Sequence, residues 1–97
     1  MIRHVVLLTF KPDTTEAQIE ALAQALSGLP GRLPRIRSYK FGRDAGINDD
    51  QASFAVVADF DTTEDYVEYR DDEEHNRIIV ELIKPILVTR TAVQYEF

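Results

Sequence analysis

Four stretches of the chain read as strands, two apolar on both faces and two with different residues on each face, and apolar positions follow helical spacing along two others. In the first stretch, extended backbone places Ile2, His4, Val6, Leu8 and Phe10 on one face and Arg3, Val5, Leu7, Thr9 and Lys11 on the other. Lys11-Pro12 ends it, because proline has no N–H to give to a ladder. Val5 and Leu7 are as apolar as the face opposite, so both sides of this strand need cover. Ser53 to Phe60 has the same character, with Phe54, Val56, Ala58 and Phe60 on one side and Ala55 and Val57 on the other. Two such strands belong in the middle of a sheet. Ile36 to Arg43 sets Arg37, Tyr39 and Phe41 against Ile36, Ser38 and Lys40. Leu87 to Phe97 sets Thr89, Thr91, Val93, Tyr95 and Phe97 against Val88, Arg90, Ala92, Gln94 and Glu96.

The helical stretches begin at capping residues. Thr15 with Gln18 three residues on has capping-box spacing, and Ile19, Leu22, Ala23 and Leu26 then form one apolar stripe. Ser27-Gly28 closes this helix, and Leu29 to Pro34 reads as a turn-rich connection that resists regular structure. Thr62-Thr63 caps a short helix running through Tyr66 and Tyr69 to about Arg70. Asp71-Asp72 offers a fresh N-cap, with Glu73 and Glu74 in the first turn, where the helix dipole favours negative charge. Ile78, Ile79, Leu82 and Ile83 form its stripe. His75, four residues before Ile79, points the same way, and Pro85 marks the exit.

The order β-α-β-β-α-β predicts an α+β fold, a ferredoxin-like sandwich with one four-stranded antiparallel sheet, as a single domain over residues 1–97. Both helical regions lie on one side of such a sheet. The apolar set Val5, Leu7, Ala55 and Val57 on the other side therefore predicts a homodimer through the helix-free sheet face.

Composition narrows the function classes. A net charge of −6, with the acids concentrated between Asp61 and Glu81, argues against nucleic acid as a partner, although Arg32, Arg35, Arg37, Lys40 and Arg43 form a basic run. No cysteine is present, which excludes disulfides and thiolate metal sites. No stretch approaches the ~20 apolar residues of a membrane helix, so no membrane partner and a cytoplasmic location are the expectation. The acidic loop Asp44 to Gln51 lacks the ligand spacing of a calcium loop. His4 and His75 with Glu74 or Asp72 show no fixed metal-ligand spacing, and no flavin motif or haem ligand pair is evident, so neither metal nor cofactor is expected.

The candidate chemistry rests on the two histidines and a tyrosine. Imidazole titrates near neutrality and suits proton abstraction next to a carbonyl, and a phenol can hold the carbonyl oxygen. For His4 a purely structural role, with the ring bonded to a neighbouring polar group, stands beside the functional one. Tyr66 and Tyr69 are one helical step apart.

The opening Met1 to Leu7 with Phe10-Lys11-Pro12, the segment Ala55 to Asp61, and the spacing from Tyr69 to His75 together resemble the stress-responsive dimeric α/β barrel family. The resemblance spans nearly the whole chain. It implies a ferredoxin-like subunit whose sheet packs on that of a second copy to make a dimeric α/β barrel. The family includes a plant polyketide (olivetolic acid) cyclase, which drives an intramolecular aldol condensation with a histidine and a tyrosine. By that resemblance His75 corresponds to the catalytic histidine, Tyr69 to its partner tyrosine and His4 to the first-strand histidine. Two features depart from the pattern. Asp72-Glu73 stands where the family often has His-Pro, and Phe54 where the cyclase has a third-strand histidine. The resulting expectation is a stress-associated dimer that binds a small apolar ligand between sheet and helices, with cyclase-like lyase chemistry as the alternative.

Overall fold

Strands β1 (Ile2–Phe10), β2 (Ile36–Arg43), β3 (Phe54–Phe60) and β4 (Leu87–Glu96) form one antiparallel sheet in the order β2-β3-β1-β4. A computed structural model describes every residue from Met1 to Phe97. The two strands that are apolar on both faces occupy the centre, as the ferredoxin-like reading requires, and register fixes which side chains share a face. His4, Val6 and Leu8 on β1 lie opposite Ala58, Val56 and Phe54 on β3, and opposite Gln94, Ala92 and Arg90 on β4. All of these point toward the helices.

Helix α1 (Glu16–Ser27) starts with both halves of the expected capping box. Thr15 Oγ1 accepts from Gln18 N at 3.2 Å, and Gln18 Oε1 accepts from Thr15 N at 2.9 Å. Its stripe buries Leu22 and Leu26 against the sheet. The connection after Gly28 departs from the sequence expectation, because Leu29–Arg32 forms a short helix, α2, that buries Leu29. Pro30 sits in its first turn, where a missing N–H leaves no bond unmade. A second departure concerns β2. A bulge between Ile36 and Ser38 leaves Arg37 as an extra residue, so Ile36 pairs with Phe60 and joins Tyr39 and Phe41 against the core.

The second helical region is broken, as the paired caps predict. Helix α3 (Thr63–Asp71) is capped by Thr62, whose hydroxyl accepts from Asp65 N at 3.1 Å. Helix α4 (Glu73–Ile78) is capped by Asp72. The chain continues as a π-helical turn over Ile79–Ile83 and a 3₁₀ turn over Lys84–Ile86 before β4. No helix is long and apolar enough to cross a membrane.

No helix covers the opposite face of the sheet. Leu7 is 42% exposed and Val93 56%, with Val5, Ala55 and Val57 half-buried between them. Near one end of this face Arg3 holds Asp59, the residue opposite it on β3, in a bidentate ion pair at 2.7 and 2.9 Å. The Arg3 guanidinium also lies 4.5 Å from the centre of the Phe97 ring.

Candidate functional site

Between the helix-side surface of the sheet and the broken α3/α4 region lies a cavity of about 140 Å³. Its walls are mostly aliphatic, with Val6, Leu8 and Val56 from the sheet and Ile78, Ile79 and Ile83 from the helical side. Polar atoms enter from His4, Tyr39, Tyr69, His75, Lys84 and Arg90. The sequence-predicted residues His4, Tyr69 and His75 thus line one cavity within one subunit.

His4 projects from the central strand and is only 3% exposed. Its Nδ1 lies 2.8 Å from Nε2 of Gln94, the residue directly opposite on β4. An amide nitrogen can only donate, so Nδ1 accepts and the imidazole proton resides on Nε2. That Nε2–H has no partner within the protein, yet it is not sealed off, because Thr14 Oγ1 is the only enclosed side-chain polar atom without a partner. Burial, reinforced by the positive charge of Arg90 and by His75, pushes the His4 imidazolium down to about 4. The ring is neutral at pH 7 and offers one N–H.

The break at Asp72 creates the other half of the site. On a continuous helix Tyr69 and His75, six residues apart, would project about 120° from each other. The change of direction instead brings their ring centres to 4.2 Å. Asp72 holds the break from two sides. Its carboxylate accepts from His75 N at 3.0 Å, and both of its oxygens accept from Arg32 Nε at 3.1 Å, so the short helix α2 braces the cap. His75 Nδ1 lies 3.3 Å from the carbonyl oxygen of Arg70, in the last turn of α3, where carbonyls lack helical partners. A carbonyl can only accept, so Nδ1 carries the proton and Nε2 keeps its lone pair. Burial holds the His75 imidazolium below the usual histidine range, against the opposing pull of the Arg70 carbonyl and Asp72, and Arg90 adds to the depression. The two neutral histidines are therefore opposite tautomers: His4 presents Nε2–H and His75 presents a basic Nε2.

Tyr69 is 3% exposed, and its hydroxyl shares a 2.9 Å hydrogen bond with the hydroxyl of Tyr39 on β2. Burial raises both phenols, Tyr39 to about 12, so both remain protonated donors at neutral pH. The ring of Tyr69 is 5.9 Å from His4, while Tyr66 packs closer to that imidazole, at 4.9 Å. Both tyrosines of the helical step thus face His4, but only Tyr69 lines the cavity. No three His, Asp or Glu side chains converge in a way that could hold a metal ion. What the arrangement offers is acid–base and hydrogen-bonding chemistry around an apolar ligand.

The family model for the stress-responsive A/B barrel domain matches residues 2–97. The chain belongs to that family. A dimeric ferredoxin-like protein of unknown function from Thermobifida fusca is 36% identical, with 99% of this chain and 90% of that one covered and a TM-score of 0.91. A dimeric ferredoxin-like protein from Bacteroides fragilis is 23% identical over 99% and 95% of the two chains, with a TM-score of 0.81. The hydroxynitrile lyase of Passiflora edulis is 19% identical over 97% and 90%, with a TM-score of 0.83, a likeness of fold. No curated protein sequence matches the chain.

Within this stress-responsive barrel domain, the cavity residues Tyr39 and Arg90 and the His4 partner Gln94 escaped the sequence reading. Tyr39 shares the alternation of Phe41, and only the fold turns that face to the core and sets Tyr39 against Tyr69 on α3. Gln94 and Arg90 share the alternation of Ala92, and only the pairing of β4 with β1 sets them beside His4 and Leu8.

Proposed function

We propose that this domain is a homodimeric small-molecule-binding protein whose cavity holds a compact apolar carbonyl compound, and that His75 acts on it as a general base. The observation that carries this reading is the hydrogen bond from His75 Nδ1 to the Arg70 carbonyl, which leaves a neutral, basic Nε2 beside the cavity. His4 Nε2–H and the protonated phenol of Tyr69 supply donors for a carbonyl oxygen. His75 Nε2 takes a proton from the carbon next to that carbonyl; the C–H electron pair becomes the enolate π-bond, and the negative charge settles on the oxygen facing those donors. The same enolate opens the cyclase-like aldol chemistry that the family resemblance implies. A cavity near 140 Å³ suits a body the size of benzene, which fits an apolar cavity of about 150 Å³.

The dimer follows from the uncovered apolar face, where Val5, Leu7, Val57 and Val93 would otherwise meet water, and from the dimeric Thermobifida fusca relative. In D₂O the protein should catalyse exchange of the hydrogens beside the carbonyl of pentan-2-one, followed by proton NMR. His75→Gln should abolish the catalysed rate and leave the fold intact. Equal exchange rates in wild type and variant would refute the base assignment.

A further inference from the structure

Among the polar side chains that line the cavity, two are cations without carboxylate partners. Arg3, Arg32, Arg37, Arg43, Arg70 and Arg77 each hold a carboxylate. Lys11, Arg35, Lys40, Lys84 and Arg90 hold none, although acids outnumber bases in the chain, and of these five only Lys84 and Arg90 line the cavity. Arg90 projects toward the helices from the edge strand β4, opposite Leu8, and its charge is felt by His4, Tyr69 and His75 alike. An unpaired guanidinium beside two neutral imidazoles raises the cost of any further positive charge there and lowers that of a negative one. The low-dielectric wall strengthens this preference.

We propose that Arg90, assisted by Lys84, selects ligands whose far end is a carboxylate, so that the compound this cavity takes is a small oxo-carboxylic acid. The carbonyl meets His4 and Tyr69, the adjacent carbon faces His75, and the carboxylate is held at the rim by the guanidinium, which matches it with two parallel N–H donors. This assignment rests on the cavity being a ligand site, as argued above, and adds the charge of the ligand.

The test compares 4-oxopentanoate with its methyl ester, which keeps the ketone and removes the charge, in NMR titrations of wild type, Arg90→Gln and Arg90→Lys at low salt. Arg90 is exposed and unpaired, so both variants should fold as wild type by circular dichroism. Wild type should bind the acid at least tenfold more tightly than the ester. Arg90→Gln should bring the two within about twofold, Arg90→Lys should keep part of the preference, and added salt should weaken the acid alone. If acid and ester bind wild type equally, the cavity reading stands and the anion assignment falls. If neither perturbs the resonances of His4, Tyr69 or His75, both fall together.

Discussion

His4 and Gln94 face each other across the β1–β4 ladder, and the 2.8 Å contact between Nδ1 and the amide nitrogen decides where the imidazole proton sits. Replacing Gln94 with Glu exchanges a donor for an anionic acceptor. The expected outcome is a proton on His4 Nδ1 and a titration moved up from about 4 toward or beyond the ordinary histidine value. Nitrogen-15 NMR of the ring follows both changes. An unaltered His4 titration in Gln94→Glu would show that the contact does not govern the ring.

Stability should fall with acid in a window set by the same ring. His4 titrates at about 4 when folded and at 6.5 in its unperturbed state, so between these values the unfolded chain binds more protons and stability rises with pH. The contribution is fully present above pH 6.5 and gone below pH 4. At ~1.36 kcal/mol per pKa unit it is on the order of 3 kcal/mol. His75, also depressed, acts in the same direction. Asp59, held low by its hydrogen bonds to Arg3, acts only further into acid, below the ordinary aspartate value. Urea unfolding at pH 7.5, 5.5 and 4.5 should show a steeper loss in wild type than in His4→Gln. Parallel pH profiles would count against a buried neutral His4.

Asp72 is expected to matter through His75. Asp72→Ala removes the cap of α4 and the anchor for Arg32, which should cost about 0.5–2 kcal/mol by thermal or urea unfolding. It should also move the His75 ring relative to Tyr69, lowering the rate of ketone exchange while ketone binding is largely kept. Asp72→Asn, which can still cap, should recover most of the stability. A variant with normal exchange would separate the cap from the site.

The uncovered sheet face predicts a particle of twice 11.1 kDa by light scattering at micromolar concentration. Leu7→Asp combined with Val57→Asp puts two charges on that face and should yield a monomer or an insoluble chain. A wild-type monomer would contradict the role given to this surface.

The parts of this structure that were legible in the sequence are those where a side chain reports on its own neighbourhood. The two-sided apolarity of β1 and β3 placed them centrally, and Thr15, Thr62 and Asp72 marked helix starts because each side chain bonds a backbone N–H three residues on. The break at Asp72 was legible for that reason, but the approach of Tyr69 to His75 that it produces depends on the angle between two helices. The helical turn at Leu29 hid behind Pro30 and Gly31, whose usual meaning is a loop. The bulge at Arg37 reverses the phase of Ile36 without any local sign. Arg90 and Gln94 acquire their roles only from cross-strand register, which no single stretch of the chain encodes.

The most direct test of the central claim is the tautomeric state of the two histidines in the wild-type protein at pH 7, read from long-range proton–nitrogen-15 correlations of the imidazole rings. Two neutral rings of opposite tautomer are expected, with His4 protonated on Nε2 and His75 protonated on Nδ1, leaving the basic nitrogen of His75 to the cavity. A charged His75, or one carrying its proton on Nε2, would contradict it.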